Sequence, residues 1–209
     1  MKLLLVGATG LVGRHVLALA LADPRVTAVV APTRRPLPEH PRLQAPLIDF
    51  SALPEGAGWW QADAVVCTLG TTMKKAGSRT AFRRVDYDYP LAVARIARRH
   101  GIPVYVLTSA IGADADARFY YNQVKGQLEE ALKALHFASF TSVRPGVIGG
   151  PRAEFRMGER LLVHVLRMLS FTLPKRWQPN PPARIARALL EAALDPQPGF
   201  HVVSSGQLA

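Results

Sequence analysis

Leu3-Leu4-Leu5-Val6-Gly7-Ala8-Thr9-Gly10-Leu11-Val12-Gly13 starts as an unbroken apolar run, passes through three glycines and leads into an apolar helical pattern ending near Asp23-Pro24. Strand, glycine turn and helix follow in that order. A Cβ at Gly7 or Gly10 would occupy space the backbone needs to bend tightly or to approach a pyrophosphate, and the first helical turn offers its amide N–H groups to that anion. Glycine-rich turns also serve as plain connections. The flanking strand and helix favour binding, so a diphosphate-bearing ligand is expected against Gly7, Thr9, Gly10, Leu11, Val12 and Gly13.

Outward from this turn, strands and helices alternate. Strand-like segments at residues 2–6, 26–31, 45–49, 64–68, 104–108, 141–144 and 201–203 alternate with helical patterns over 11–22, 79–99, 119–135, 155–170 and 182–194. That alternation predicts an α/β fold: one Rossmann-like, doubly wound sheet of about seven mostly parallel strands, flanked by helices. The segments 32–41 and 173–181 are proline-rich and read as surface loops near the carboxyl ends of strands, where ligands bind in such sheets.

With 209 residues, 49% hydrophobic and 20% charged, the chain suffices for one sizeable core, and no linker divides it. A single domain over residues 1–209 is expected, with 147–209 as a small substrate-side elaboration too short for a separate domain. The lone cysteine, Cys67, excludes an internal disulfide framework and reads as core. Apolar stretches fall short of a membrane span, and Gly7 cuts short the only segment resembling a signal peptide, so a cytoplasmic protein without membrane contact is expected. The six histidines have no metal-ligand spacing, and no metal is expected.

The net charge of +11 raises the possibility of a nucleic-acid partner. The basic residues, among them Arg83-Arg84, Arg98-Arg99, Arg152, Arg156, Arg160 and Arg167, are scattered rather than striped. No aromatic-interleaved, zinc or helix-turn-helix motif accompanies them, so a solvated surface and phosphate-bearing ligands explain the excess better.

Cofactor choice is written after the second strand, where an NAD site places a carboxylate for the ribose 2′-OH and an NADP site places cations for the 2′-phosphate. Pro32-Thr33-Arg34-Arg35 stands there without Asp or Glu, and Arg14 follows the third glycine. Arg14, Arg34 and Arg35 therefore favour NADP(H) over NAD(H). After the fourth strand, the turn Thr68-Leu69-Gly70-Thr71 is small enough for a ribose or nicotinamide to lie against its backbone.

Tyr121-Asn-Gln-Val-Lys125 opens the helix after the fifth strand. Residues i and i+4 share a helix face, so the ammonium of Lys125 is placed to favour the phenolate of Tyr121. Tyr121 also lies on the edge of the apolar stripe Val124, Leu128, Ala131, Leu132 and Leu135, where packing alone would suit it. Lys125 fits packing less well, because a lysine on a partly apolar face needs a partner.

Gly7-x-x-Gly10-x-x-Gly13, Tyr121-x-x-x-Lys125 and Arg144-Pro-Gly146 together resemble the atypical short-chain dehydrogenases/reductases over nearly the whole chain. Cys67-Thr-Leu-Gly-Thr-Thr72, Lys75-Ala-Gly77, Val85-Asp86, Asp88-Tyr89, Gln123-Val-Lys-Gly126 and Leu173-Pro174 before Trp177 are similar to the Tat-interacting-protein-like branch. The resemblance implies a Rossmann fold that binds NADPH, with Tyr121 moving a proton and Lys125 binding the nicotinamide ribose. It also implies a hydroxyl after the fifth strand that polarises the substrate. Ser109 is the first choice and Thr108 the second, because Ala110 takes the place often held by that serine. Pro145, Gly146 and Val147 are expected to border the cofactor. Val147, Ile148, Phe155, Met157 and Trp177 read either as pocket lining or as core.

The expected function is an NADP(H)-dependent oxidoreductase acting on a small carbonyl substrate. The alternatives are a non-enzymatic NADPH-binding regulator with a protein partner, and an epimerase-like enzyme acting on a nucleotide sugar. A homodimer is compatible with either.

Overall fold

The computed structural model describes residues 1–148 and 179–208. The expected helix over 155–170, the pocket candidates Phe155, Met157 and Trp177, and most of the loop 173–181 lie outside them. Seven parallel strands form one sheet in the order β3-β2-β1-β4-β5-β6-β7. They are β1 (Lys2–Val6), β2 (Ala28–Val30), β3 (Leu43–Gln44), β4 (Ala64–Cys67), β5 (Val104–Thr108), β6 (Ser139–Arg144) and β7 (Gly199–Ser204). The order reverses direction between β1 and β4, which opens a crevice at their carboxyl ends.

Alternation along each strand builds two cores. Leu3, Leu5, Val29, Val66, Val106 and Val143 face a layer made by helix α1 (Leu11–Ala22) and the helix over Pro182–Leu194. Leu4, Val6, Val65, Cys67, Tyr105 and Leu107 face the opposite layer, which holds α4 (Tyr89–Arg99) and α5 (Tyr120–Lys133). Both faces are covered over β1, β4 and β5, which is why these strands read as apolar runs. We number the Pro182–Leu194 helix α6, since α2 (Met73–Ala76) and α3 (Arg79–Arg83) precede α4.

Part of the basic excess is structural. Arg25 joins the end of α1 to α6 through Asp23 (2.7 Å) and Glu191 (3.1 Å). The Arg42 guanidinium donates to the carbonyls of Leu21, Asp23 and Val26, which satisfies the orphan Leu21 carbonyl in the last turn of α1 and fastens the turn that follows.

Two expectations need correction. The third strand does not span 45–49: it pairs at Leu43–Gln44, and the later stretch contributes only a bridge from Leu47 to Thr33. Pro46 lacks an N–H and cannot continue the ladder. The helix expected over 79–99 is also not uniform. Between α3 and α4, Arg84–Asp88 form a π-turn in which the Tyr89 N–H donates to the Arg84 carbonyl. Pro90 has no amide to donate, so the regular ladder fails there, and the widened turn carries Asp86 inward.

Candidate functional site

Val6 pairs with Cys67, so Gly7 and Thr68 leave the sheet side by side. Thr68 donates both its N–H (2.8 Å) and its hydroxyl (3.0 Å) to the Val6 carbonyl. Gly7 has φ +92°, and a Cβ on it would stand 2.7 Å from Thr68 Oγ1. A Cβ on Gly13 would come within 2.1 Å of the Gly7 carbonyl oxygen. These two glycines let β1, α1 and the β4 turn close on one another. Gly10 differs: it is exposed, and its nearest atom would be the Gly7 oxygen at 3.3 Å.

Helix α1 starts at Gly10 with no side-chain cap and no acidic residue in its first turn. Its positive end, including the backbone of Leu11, Val12 and Gly13, therefore stays uncancelled, which suits an anion. Thr9 and Arg14 are exposed beside it. After β2, Thr33 is buried and its hydroxyl donates to the Arg35 carbonyl at 3.0 Å, while Arg34 and Arg35 are exposed. Asp49 lies near Arg34: its carboxyl is held below the usual range first by the Ser51 hydroxyl, then by the Ser51 amide, with Arg34 adding attraction against some burial.

The turn after β4 ends in an exposed Gly70. Its missing Cβ would lie 3.3 Å from Asp86 Oδ1 and 3.8 Å from Lys125 Nζ. Lys125 is 3% exposed and stands 2.7 Å from Asp86 Oδ1, while Asp86 Oδ2 accepts the Thr71 N–H at 2.8 Å. Burial alone pushes the Lys125 pKa down. The carboxylate of Asp86, and after it Tyr121, outweigh burial, and the net direction is up.

Tyr121 is 37% exposed, one helical turn before Lys125, with its ring 5.6 Å from that of the buried Phe82. The loop after β5 is stapled to this end of α5. Asn122 Nδ2 donates to the Ile111 carbonyl at 2.8 Å, and a Cβ on Gly126 would strike the Asp114 backbone at 2.1 Å.

Ser109 lies elsewhere. Its hydroxyl donates to Glu129 Oε1 at 2.5 Å, and the same oxygen accepts from the Ser142 hydroxyl at 2.7 Å and Arg144 Nε at 3.0 Å. This network borders a polar cleft of about 410 Å³ that also includes Asp114, Asp116 and Glu130. Thr108 Oγ1 is buried without a hydrogen-bond partner among the described residues, and Ala110 is buried close to it in sequence. After β6, Pro145 is buried and Val147 exposed. The Gly146 N–H donates to Asn180 Oδ1 at 2.7 Å, and the Val147 carbonyl accepts the Asn180 N–H at 2.8 Å.

The structure thus brings Gly7, Gly10, Gly13, Thr68 to Thr71, Tyr121 and Lys125 together at the carboxyl ends of the central strands, and it gives Ser109 to a different network. Sequence reasoning missed Asp86, Glu129 and Asn180 as site residues. Asp86 and Glu129 carried a signal: each is an acidic residue among positions that the apolar pattern buries.

The fold and the glycine turn define a Rossmann-type nucleotide-binding protein, and residues 7–156 match the family described as NAD(P)H-binding, to which the chain belongs. Within the atypical short-chain dehydrogenases/reductases it falls in the Tat-interacting-protein-like branch. The protein HTATIP2 of Rattus norvegicus is 34% identical over 203 residues, covering 93% of this chain and 82% of that protein. The protein fmp52, mitochondrial, of Emericella nidulans is 36% identical over 165 residues, covering 74% of this chain and 70% of that protein. Among solved structures, the Bordetella bronchiseptica enzyme WbmH in complex with NAD+ shares the fold, with a TM-score of 0.72 at 19% identity over 98% of this chain and 75% of that one. Among the described residues, no helix is long and apolar enough to cross a membrane.

Proposed function

We propose that the protein is an NADP(H)-dependent oxidoreductase that reduces a small carbonyl substrate, with Tyr121 as proton donor. The observation that carries this reading is the buried Lys125 beside Gly70, one helical turn from Tyr121 and at the same carboxyl end of the sheet as the glycine turn. Gly7, Gly10 and Gly13 with the α1 amides hold the diphosphate, and Arg14, Arg34 and Arg35 supply cations for a 2′-phosphate where an NAD site would place a carboxylate. Thr68, Leu69, Gly70 and Thr71 with Pro145, Gly146 and Val147 border the ribose and nicotinamide.

Bound NADPH supplies hydride. Tyr121 gives its phenolic proton to the carbonyl oxygen, and the Lys125 ammonium stabilises the phenolate left behind and holds ribose hydroxyls. Ser109 polarises the carbonyl only by releasing its hydrogen bond to Glu129, so the Ser109→Ala and Thr108→Ala variants decide which hydroxyl serves.

The test is NADPH oxidation by purified protein with a broad panel of aldehydes, ketones and enones. Turnover with at least one member, reduced more than tenfold by Tyr121→Phe, supports the reading; no turnover with any member, or an unchanged rate in the variant, overturns it. Titration of NADPH and NADH against wild type and Arg34→Ala/Arg35→Ala tests the 2′-phosphate argument, and equal wild-type affinity for both defeats it. The engagement of the Ser109 hydroxyl by Glu129 favours a second reading, an NADPH-binding regulator with a protein partner, which the same titration separates as binding without turnover. Cytoplasmic residence belongs to the first reading, and cell fractionation tests it against the mitochondrial placement in the fungal relative's name.

A further inference from the structure

We propose that Asp86 is the positioning residue of this site: its carboxylate fixes the Lys125 ammonium beside Gly70 and so governs how that ammonium meets a nucleotide ribose. The inference rests on the nucleotide-binding reading above. Each oxygen of Asp86 has its own task, Oδ1 standing 2.7 Å from Lys125 Nζ and Oδ2 accepting the Thr71 N–H at 2.8 Å. One 1%-exposed side chain thereby ties the turn after β4 to helix α5. Asp86 Oδ1 holds the ammonium by charge at 2.7 Å without an aligned hydrogen bond, which leaves ammonium protons for hydroxyls on the Gly70 side.

The carboxylate reaches this place because of the π-turn at Arg84–Asp88. Each residue added to a helix rotates the remainder of that helix by roughly 100°, so an ordinary turn ahead of α4 would not point Asp86 and the packed face of α4 inward together. The groups facing the ammonium are Asp86 from the π-turn, Tyr121 from its own helix and Cys67 from β4. Asp86 supplies the strongest attraction, and Lys125 keeps its charge in spite of burial because of it.

Asp86→Asn isolates the charge, since the amide oxygen still accepts from Thr71. The first readout needs no nucleotide: ¹³Cε NMR titration of lysine-labelled protein. Lys125 in the wild type is expected to stay protonated through pH 10, and in Asp86→Asn to titrate at least two pH units lower, at or below about pH 8. An unchanged midpoint overturns the proposal.

The second readout is NADPH binding by fluorescence. Asp86→Asn is expected to bind less than threefold weaker at pH 6 and more than tenfold weaker at pH 9, whereas Asp86→Glu restores the flat wild-type profile. A loss equal at both pH values marks a merely structural role and overturns the proposal, as does an undiminished effect of Asp86→Asn in a Lys125→Met background. Should Asp86→Asn fail to fold, Asp86→Glu carries the test, a pH-dependent loss in it counting against the proposal. Failure of the nucleotide reading looks different: wild type then binds neither NADPH nor NADH, while the NMR titration still decides whether Asp86 holds the charge on Lys125.

Discussion

The Ser109 hydroxyl and the Glu129 carboxylate are joined at 2.5 Å in the interior, at the point where β5, β6 and α5 meet. The carboxylate also receives the Ser142 hydroxyl and the Arg144 guanidinium, so its lone pairs are occupied by three residues from the β5 and β6 side of the sheet. The arrangement satisfies a charge that burial would otherwise penalise. It is therefore a structural clamp at the carboxyl edge of the sheet, next to the loop that leads to Tyr121.

Truncating the two members has unequal consequences. Ser109→Ala removes one of several hydrogen bonds to a carboxylate that keeps the others, and about 1–2 kcal/mol of stability is expected to go. Glu129→Ala leaves Arg144 partly buried without its anion and two buried hydroxyls without an acceptor, with an expected loss of about 3 kcal/mol. Urea unfolding checks both; equal losses would mean that Glu129 is not the hub.

The three glycines of the first turn separate folding from binding. Gly13→Ala drives a Cβ to 2.1 Å from a backbone oxygen that cannot move freely, so failure to fold, or a loss above about 3 kcal/mol, is expected. Gly10→Ala meets only one atom, at 3.3 Å, and adopts an ordinary extended φ of −74°. It is expected to unfold within about 1 kcal/mol of wild type while losing nucleotide affinity at least tenfold. Thermal unfolding beside NADPH titration reads the two effects, and an unaltered affinity in Gly10→Ala would remove the diphosphate from this turn.

Much of this is legible in the chain because it is local. The apolar run at Lys2–Val6, the glycine turn and the stripes of α1 and α6 are set by neighbours three or four residues apart, and those elements fall where the pattern places them. The third strand is misread because the apolar residues at Leu47 and Ile48 outweigh Pro46, whose missing N–H decides the pairing. Asp86 is invisible as a partner of Lys125 because their contact spans α4 and β5. Pro90 inside a helical run is the available sign that the ladder breaks nearby. Ser109 is suggested by analogy of position, and only the packed structure reveals the carboxylate that engages it.

Alkali is expected to weaken the fold in two stages. Burial pushes the Cys67 thiol above the ordinary range, and burial first, with Cys67 adding to it, pushes the Tyr105 hydroxyl well above its own; Lys125 also moves up. All three therefore bind protons more tightly when folded. Their contribution is fully present below the unfolded values, about 8.5 for a thiol and about 10 for tyrosine and lysine, and is lost as pH rises through the folded values. The urea midpoint should hold between pH 7 and 8, fall from about pH 8.5 and fall more steeply past pH 10. Cys67→Ala should remove the first decline, and a midpoint constant up to pH 10.5 would contradict the sign.

Asn180 links the end of β6 to the end of β7. It is fully buried, its Oδ1 accepts from the Gly146 N–H (2.7 Å) and the Ser205 hydroxyl (2.8 Å), and its Nδ2 donates to the Ser205 carbonyl (3.0 Å). Asn180→Ala removes three hydrogen bonds at once, so a loss of about 2–4 kcal/mol is expected. Asn180→Asp keeps the acceptor but brings in an acid with no donor for Ser205, and it should destabilise more at pH 8 than at pH 5, where protonation restores a donor. Because Gly146 borders the proposed cofactor site, both variants should also weaken NADPH binding beyond what their unfolded fraction explains. Titrations corrected for that fraction measure the excess, and a loss no greater than the unfolded fraction would place Asn180 in the fold alone.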